Sequence, residues 1–292
     1  MIPAAFAYER PKSLDEALGL IAAQDGAATK VLAGGQSILP LLKLRLASVD
    51  RLVDIGRIEE LRGVRQAADG SFAIGAATTY SELIDSPVTA LACMADALPT
   101  IGDVQVRNRG TIGGAIAHAD PASDLPAVLL ALDAAVIARS KRGERTIPIT
   151  SFFIGPFESA LETDEIITEI RLMAPSDDYG SAYVSIEQQA SGYAIAGVAA
   201  VLGHSGEVMG STLIEDIRVG VTGVGDRAYR ASAVEAALRG TDCSHDRIAR
   251  AARQATEGVQ VNSDIHADRE YRTAMAEVLV RRAIEAARAR SA

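Results

Sequence analysis

Tryptophan is absent from the 292-residue sequence, and aromatic residues make up only 4% of it. A platform on which sugar rings or nucleic-acid bases stack is therefore not expected. The chain has two cysteines, Cys93 and Cys243, and four histidines without H-x-x-x-H or H-E-x-x-H spacing. This chain alone cannot build an iron–sulfur cluster or a cysteine zinc site, and the histidine spacing does not favour a metal site. Any such centre has to come from a partner.

Charge and hydropathy restrict the function classes further. Lysine and arginine total 29 against 38 aspartates and glutamates, which gives a net charge of −9. Such a chain is not expected to bind nucleic acid, because phosphate backbones are bound by clustered basic side chains. No apolar run approaches the roughly 20 residues of a membrane-spanning helix. The first residues lack the basic and apolar regions of an export signal, so we expect a cytoplasmic protein without a transmembrane segment.

The N-terminal part alternates helix and strand signals. Ser13 and Glu16 form the S-x-x-E pattern of a capping box, ahead of a helix that continues towards Gly26. A β-like run at 29–32 leads into a glycine loop at 33–37 (AGGQS). The further signals predict a helix at 38–46, a strand at 52–55, a hairpin at 64–76, a second capping box at 79–82 and a helix at 87–98.

A long segment without clear periodicity, 99–123, follows. It includes a second small-residue turn at 111–115 (TIGGA), and connections of this length are usually functional. Beyond it the patterns predict a helix at 125–132, a hairpin across 134–149 and a strand at 165–172. Residues 174–178 (APSDD) mark a turn-rich boundary. After the boundary, strands near 181–187, 196–203 and 207–221 precede helices near 228–239, 244–258 and 268–289, which predicts an α+β C-terminal domain.

The two glycine loops are the candidate binding elements. Loop 33–37 follows a strand and opens a helix, so its N–H groups can converge on an anion at the positive end of the helix dipole. Gly34 and Gly35 allow a pyrophosphate to approach the main chain. Loop 111–115 repeats the design directly after 107–109 (RNR). Two such loops, about 75 residues apart, can clamp the phosphates of one dinucleotide, although two unrelated tight turns would show the same spacing.

Four other features compete for a functional role. Residues 223–228 (GVGDRA) fit G-x-G-x-x-[GA], but no second strand ending in an acid follows, so we do not expect a Rossmann site. His118 and Asp120 form the local His/acid pair, for which a loop-fixing hydrogen bond is favoured over general-base catalysis. Cys93 falls on a predicted helix and is expected in the core. Tyr193 either covers an aromatic ligand or caps a strand.

Three motifs, taken in order, resemble those of a known family. They are 32–37 (LAGGQS) with the leucine-rich stretch after it, 106–114 (VRNRGTIGG) and 120–126 (DPASDLP). The chain looks like the medium, FAD-binding subunit of the molybdenum hydroxylases, the group that includes aerobic carbon monoxide dehydrogenase and xanthine dehydrogenase. The resemblance covers nearly the whole chain, from 2–3 (IP) to 281–283 (RRA).

The resemblance implies an α+β fold in two parts. The first would be a two-lobed FAD-binding domain of the vanillyl-alcohol-oxidase-like type at 1–173, with lobes of about 1–56 and 57–173. The second would be a smaller C-terminal domain of antiparallel sheet plus helices at 179–290.

The resemblance also implies which residues hold FAD. The two glycine loops would bind the diphosphate, and Asp124 would bond the sugar part of the cofactor. Tyr193 would lie against the isoalloxazine, and Ile101 and Leu172 would line the pocket. The full set is Leu32, Ala33, Gly34, Gly35, Gln36, Ser37, Ile38, Ile101, Thr111, Gly113, Gly114, Ala115, Asp124, Leu172 and Tyr193. Beyond the flavin itself, no catalytic residue and no metal ligand is expected on this chain.

Three departures from the family pattern bear on these expectations. Ala115 stands where relatives usually have Asn, so one side-chain hydrogen bond to the cofactor is missing and lower FAD affinity is expected. Residues 187–189 (EQQ) stand where many relatives carry Lys or Arg that can stabilise negative charge on reduced flavin. The lack of a basic residue there would lower the flavin potential or leave this role to another residue. Gln36 stands where the carbon monoxide enzymes tend to have His, so carbon monoxide is not assured as the substrate.

These expectations combine into an electron-relay subunit. A large partner subunit would oxidise the substrate at a molybdenum–pterin centre, and a small partner subunit would carry [2Fe-2S] clusters. FAD on this chain would pass the electrons to an external acceptor. The assembly would be a dimer of heterotrimers, in the cytoplasm or at the inner face of the membrane through the acceptor.

Two alternatives stay open at this point. One is a stand-alone flavin oxidase or reductase, for which His118 and Tyr193 are the candidate proton-handling groups. The other is a nucleotide-binding assembly or scaffold protein that kept the fold and lost the flavin.

Overall fold

The computed structural model describes residues 2–23, 26–173, 179–204 and 213–291. The boundary expected at 174–178 and the first part of the strand expected near 207–221 lie outside the described residues. Within those ranges, no helix has the length and apolar character needed to cross a membrane.

A small parallel sheet forms from the N-terminal segment. Its elements in chain order are β1 (Ala7–Glu9), α1 (Leu14–Ile21), β2 (Thr29–Leu32), α2 (Ile38–Lys43) and β3 (Arg51–Asp54). β3 is the central strand and lies parallel to both neighbours, with the helices as crossover connections. The carboxyl ends of β2 and β3 therefore meet at one edge of the sheet, where loop 33–37 begins.

The first capping box is confirmed, except that the Glu16 side chain binds the N–H of Lys12 and not that of Ser13. Ser13 caps α1 by accepting from the N–H of Glu16. The Glu16 carboxylate reaches back to the N–H of Lys12. The second box forms reciprocally between Thr79 and Glu82 and starts α3 (Tyr80–Ile84).

An antiparallel sheet in the order β4-β5-β10-β6-β7 follows. Its strands are β4 (Val64–Gln66), β5 (Phe72–Gly75), β6 (Ala135–Ser140), β7 (Gly143–Pro148) and β10 (Ile166–Leu172), while β8 (Phe153–Gly155) and β9 (Glu158–Ser159) pair separately. The pairings β4–β5 and β6–β7 confirm both predicted hairpins.

The prediction of one helix across 87–98 is wrong. The segment divides into a 3-10 turn at Pro87–Ala90 and helix α4 (Ala92–Ala97). Leu91 between them is extended, with φ −78° and ψ 104°. Its side chain is buried in the core, so tertiary packing overrides local helix propensity there.

The prediction of an irregular segment at 99–123 is also wrong. It contains α5 (Val104–Arg107) and α6 (Ile112–His118). The sequence pattern does not predict α6, because Gly113 lies within it and glycine is a poor helix former. A Cβ built on it would lie 2.5 Å from the Cβ of Ala76, so the close approach of α6 to that residue requires glycine.

The C-terminal part forms an antiparallel sheet followed by helices, as expected. The strands, in spatial order, are β11 (Tyr179–Glu187), β12 (Ala194–His204), β13 (Ile214–Thr222) and β14 (Tyr229–Arg230). The helices are α8 (Ser232–Leu238), α9 (His245–Ala252) and α10 (Arg269–Arg290). α8 begins later than predicted because residues of β14 pair with β13 first.

Helix α7 (Asp124–Ala131) and strand β12 join the two parts of the molecule. All eight residues of α7 are buried. Val198 and Ala200 of β12 belong to the core beneath the C-terminal helices, whereas Ala199 belongs to the core that contains α7. The sheet is thus covered on both faces, which explains its nearly continuous apolar sequence. α7 comes so close to β13 that a Cβ on Gly220 would lie 2.0 Å from the carbonyl oxygen of Ala127.

Leu129→Ala tests the shared core. Leu129 of α7 is fully buried, and truncation of such a leucine costs about 2–5 kcal/mol of unfolding free energy. We expect a loss of this size in urea denaturation of the purified chain. Leu46→Ala is the control: its side chain is 72% exposed, and a change below about 0.5 kcal/mol is expected. Equal effects of the two substitutions would contradict the placement of α7.

Candidate functional site

The first glycine loop, 33–37, presents unused main-chain donors. It begins where β2 ends and leads directly into α2. Among the described residues, none accepts a hydrogen bond from the N–H groups of residues 34–37. Ser37 does not cap α2 with its side chain. Free N–H groups at a helix start form an arrangement that binds anions.

The two glycine loops lie against each other. A Cβ built on Gly34 would lie 2.1 Å from the carbonyl oxygen of Arg109, so only glycine fits there. A Cβ built on Gly114 would lie 3.7 Å from the Cβ of Ala33. Segments far apart in the sequence are therefore brought together at one place.

The second loop is the capped start of α6. The Thr111 side chain accepts from the N–H of Gly114. The N–H groups of Ile112 and Gly113 donate to the carbonyl oxygens of Thr78 (3.1 Å) and Ala76 (2.9 Å), and that of Ala115 donates to Thr111 (3.0 Å). Main-chain donors of 112–115 are thus used inside the chain. The free donors for an anion are those of the first loop, which the second loop holds in position.

Three arginines surround a cavity of about 110 Å³ beside the loops: Arg57, Arg62 and Arg109, with Ala33 and Thr111 also in its wall. Arg62 is paired with Glu82 at 2.6 Å. Within the described ranges, no carboxylate pairs with Arg57 or Arg109. The site is therefore cationic in an acidic chain.

Two of these arginines, Arg57 and Arg62, are not indicated by the sequence motifs. Arg57 follows β3 at the carboxyl edge of the parallel sheet, and this position is the signal that could have identified it. Arg107, in contrast, binds the carbonyl oxygens of Pro99, Ile101 and Gly102 at 2.7–3.1 Å. It fixes the turn that carries Ile101.

Asp124, the first residue of α7, is a buried acid. It is 6% exposed, and its Oδ1 accepts a 2.5 Å hydrogen bond from the hydroxyl of Tyr183. Burial raises the pKa of Asp124 to about 6, although the bond from Tyr183 acts in the opposite direction.

Tyr193 lines a larger cavity of about 310 Å³ together with Asp120, Gln188, Asp264 and Arg272. The tyrosine is 44% exposed. Burial and the carboxylates of Asp120 and Asp124 raise its pKa. Tyr193 lines the cavity directly before β12 begins, so its two expected roles, covering a ligand and capping a strand, stay predictions.

The competing motifs have structural roles. The N–H of Gly223 donates to the carbonyl oxygen of Pro121, and the loop leads to β14, which pairs antiparallel with β13. Asp120 accepts from the N–H of Ala122, while the His118 ring stands beside Phe157 at 5.1 Å. Cys93 is fully buried, and burial raises its pKa to about 11. In the described ranges, no group of His, Cys, Asp and Glu side chains could hold a metal ion.

Comparison with known proteins identifies the family. Residues 4–175 match the FAD binding domain in molybdopterin dehydrogenase, and residues 181–287 match the CO dehydrogenase flavoprotein C-terminal domain. The carbon monoxide dehydrogenase medium chain of Hydrogenophaga pseudoflava is 40% identical over 294 residues, 100% of both chains. The chain belongs to the FAD-binding medium subunits of the molybdenum hydroxylases.

Two further relatives support the same membership. The glyceraldehyde dehydrogenase medium chain of Sulfolobus acidocaldarius is 38% identical and covers 98% of this chain and 99% of its own. A solved structure of carbon monoxide dehydrogenase from Hydrogenophaga pseudoflava superposes on this chain with a TM-score of 0.94. That enzyme lacks the Mo-pyranopterin moiety of its molybdenum cofactor, and the matched chain is 41% identical in sequence over 100% of both chains.

The donor set fits the cofactor of this family. FAD carries an anionic diphosphate, and the first loop offers free N–H groups without a side chain to obstruct them. Leu32 and Ile38 pack with Leu42 beneath the loop and anchor it. Ile101 is half-buried, while Leu172 at the end of β10 is fully buried in the core. The expectation that both line the FAD pocket stays a prediction.

The three departures from the family pattern occupy different environments. Ala115 is half-buried within α6. Gln36 is exposed in the first loop. Glu187 is exposed at the end of β11, and Gln188 lines the larger cavity. Of residues 187–189, Gln188 is therefore the one that lines this cavity.

Gly34→Ala tests the contact between the loops. The new Cβ would clash with the main chain of Arg109, so the loops separate and bound FAD decreases severalfold. The ratio of flavin to protein absorbance measures this. Gly19→Ala is the control, because a Cβ at Gly19 of α1 makes only ordinary contacts, the nearest at 3.6 Å. Unchanged flavin content in Gly34→Ala would contradict the assignment of the loop.

Proposed function

We propose that this chain is the electron-relay subunit of a molybdenum hydroxylase. One observation carries the proposal: two glycine loops meet beside free main-chain donors and unpaired arginines, in a chain that matches medium subunits over its whole length. When bound, FAD would supply the redox chemistry that connects iron–sulfur clusters to an external acceptor.

The residues of this chain would bind and orient the cofactor. The N–H groups of 34–37 would donate to the diphosphate, and Thr111 with Gly113 and Gly114 would support that loop. Arg57 and Arg109 would offset the negative charge. Asp124 would accept a hydrogen bond from the sugar part, and Tyr193 would exclude water from one face of the isoalloxazine.

A medium subunit implies a large and a small partner. The two buried cysteines, Cys93 and Cys243, are too few for a cluster with four thiolate ligands, so the [2Fe-2S] and molybdenum–pterin centres would be on those partners. We further propose that the assembly is a dimer of heterotrimers and that it passes electrons to an external acceptor. We also propose that the protein is cytoplasmic and that the chain divides into domains at 1–173 and 179–290.

The stand-alone flavin oxidase and the flavin-free scaffold are less well supported. The full-length relatives are medium chains of dehydrogenases. His118, a candidate acid–base group for an oxidase, stands beside the ring of Phe157, and no carboxylate of the described residues pairs with it.

Flavin binding is the first expected result. The purified chain, mixed with FAD, should show a visible flavin band that bleaches with dithionite, and the same band should appear in the complex with its partner subunits. Co-purification of the partners with the chain tests the relay role separately. A complex that forms but carries no flavin would overturn the proposed function, and a flavin-loaded chain that recovers no partner would favour the stand-alone oxidase.

Gln188→Lys is expected to raise the flavin reduction potential. A cation in the larger cavity would stabilise the negative charge of the reduced flavin. A stabilisation of about 1 kcal/mol corresponds to about 20 mV for a two-electron couple. Redox titration of the loaded chain measures the shift, and Gln189→Lys, at an exposed position, is the control. An unchanged potential in Gln188→Lys would contradict the placement of the flavin beside this cavity.

A further inference from the structure

The segment before α7 is held by strands of the C-terminal part. The carbonyl oxygen of Pro121 accepts from the N–H of Gly223 at 2.8 Å, and that of Ala122 accepts from the N–H of Ala194 at 3.3 Å. The hydroxyl of Thr222 lies 2.8 Å from the carbonyl oxygens of both Pro121 and Ser123. Three consecutive carbonyl groups are thus bound from β12 and β13 and the turn after β13.

The Asp124 side chain is bound from the same sheet. Tyr183 of β11 donates to its Oδ1, and both residues are buried. A hydrogen bond to a carboxylate inside a protein is strong and directional. The bond therefore orients the carboxylate and favours its ionised form, against the opposing effect of burial.

Among the described residues, no basic side chain forms an ion pair with Asp124. The titratable groups that face it are Tyr183 and Glu187 from β11, Asp120 from the preceding loop, Tyr80 from α3 and Tyr193 from the turn between β11 and β12. The Tyr183 hydroxyl is therefore the identified side-chain donor that holds the carboxylate.

We propose that Tyr183, assisted by Thr222, is a positioning residue that presents the Asp124 carboxylate to FAD, so that the C-terminal sheet sets the affinity of a site formed by the FAD-binding domain. This inference rests on the proposed function, because it requires Asp124 to contact the cofactor.

The decisive experiment is a double-mutant cycle on FAD affinity. The full-length chain, and its complex with the partner subunits, would be titrated with FAD while fluorescence is followed. Tyr183→Phe should weaken binding about tenfold, as expected for loss of one hydrogen bond to a charged group. Asp124→Ala should weaken it at least as much. In the Asp124→Ala background, Tyr183→Phe should have no further effect, because Tyr183 acts through the carboxylate.

Tyr229→Phe is the matched control. The hydroxyl of Tyr229 donates to the carbonyl oxygen of Ala255 at 3.0 Å, in the same part of the chain but away from Asp124. Its removal should change FAD affinity less than about twofold, within the additivity error of distant sites. Thr222→Val, which removes the other side-chain bond to the segment, should weaken FAD binding in the same direction as Tyr183→Phe.

The pH profile separates positioning from general destabilisation. FAD affinity of the wild-type chain should fall as the pH falls through about 6, the pKa of Asp124, because the neutral acid is a poorer acceptor. Tyr183→Phe removes a bond that lowers this pKa, so the midpoint should move to higher pH. Asp124→Ala should abolish the transition, whereas Tyr229→Phe should leave the midpoint unchanged.

The outcomes distinguish the two proposals. If Asp124→Ala leaves FAD affinity unchanged, the assigned role of Asp124 fails and this inference fails with it. If Asp124→Ala weakens binding but Tyr183→Phe does not, only the inference is overturned. The inference is also overturned if Tyr183→Phe weakens binding equally in both backgrounds without moving the midpoint, since Tyr183 would then act on the fold in general.

Discussion

The burial of α7 between two packed layers is the constraint on which the rest of the structure depends. Its eight residues are enclosed, and Gly220 lets the C-terminal sheet approach the helix backbone. Because apolar burial is the main stabilising contribution in folding, the two parts cannot separate without exposing a large shared core. Asp124 starts this helix, so a site residue is fixed by the same packing that holds the molecule together.

The glycine loops show how backbone contact can determine a binding site. Gly34 and Gly113 are required because main-chain or Cβ atoms of other segments lie where their side chains would be. The result is that the second loop uses its donors internally and leaves those of the first loop free. The loops are thus similar in sequence and different in role, since one offers hydrogen bonds and the other supports it.

Sequence reasoning predicted most elements whose signals are local. Both capping boxes, both hairpins and the order of strands and helices after residue 179 follow from short patterns. Local patterns do not indicate helix α6, because its contact with Ala76 requires Gly113, and helix propensity disfavours glycine. The bond between Asp124 and Tyr183 joins residues 59 positions apart and has no local signature. Arg57 enters the site through the topology of the parallel sheet, which a single sequence does not display.

The bonds from β12 and β13 and the turn after β13 to the 121–123 carbonyl groups also constrain biogenesis. The last of these donors is the N–H of Gly223. Segment 121–123 therefore cannot be fixed while the ribosome has made only the FAD-binding part. Domains generally fold from the N-terminus as they emerge during synthesis. Here the first domain would emerge before its cofactor site is finished, and tight loading with FAD would follow synthesis of the C-terminal sheet.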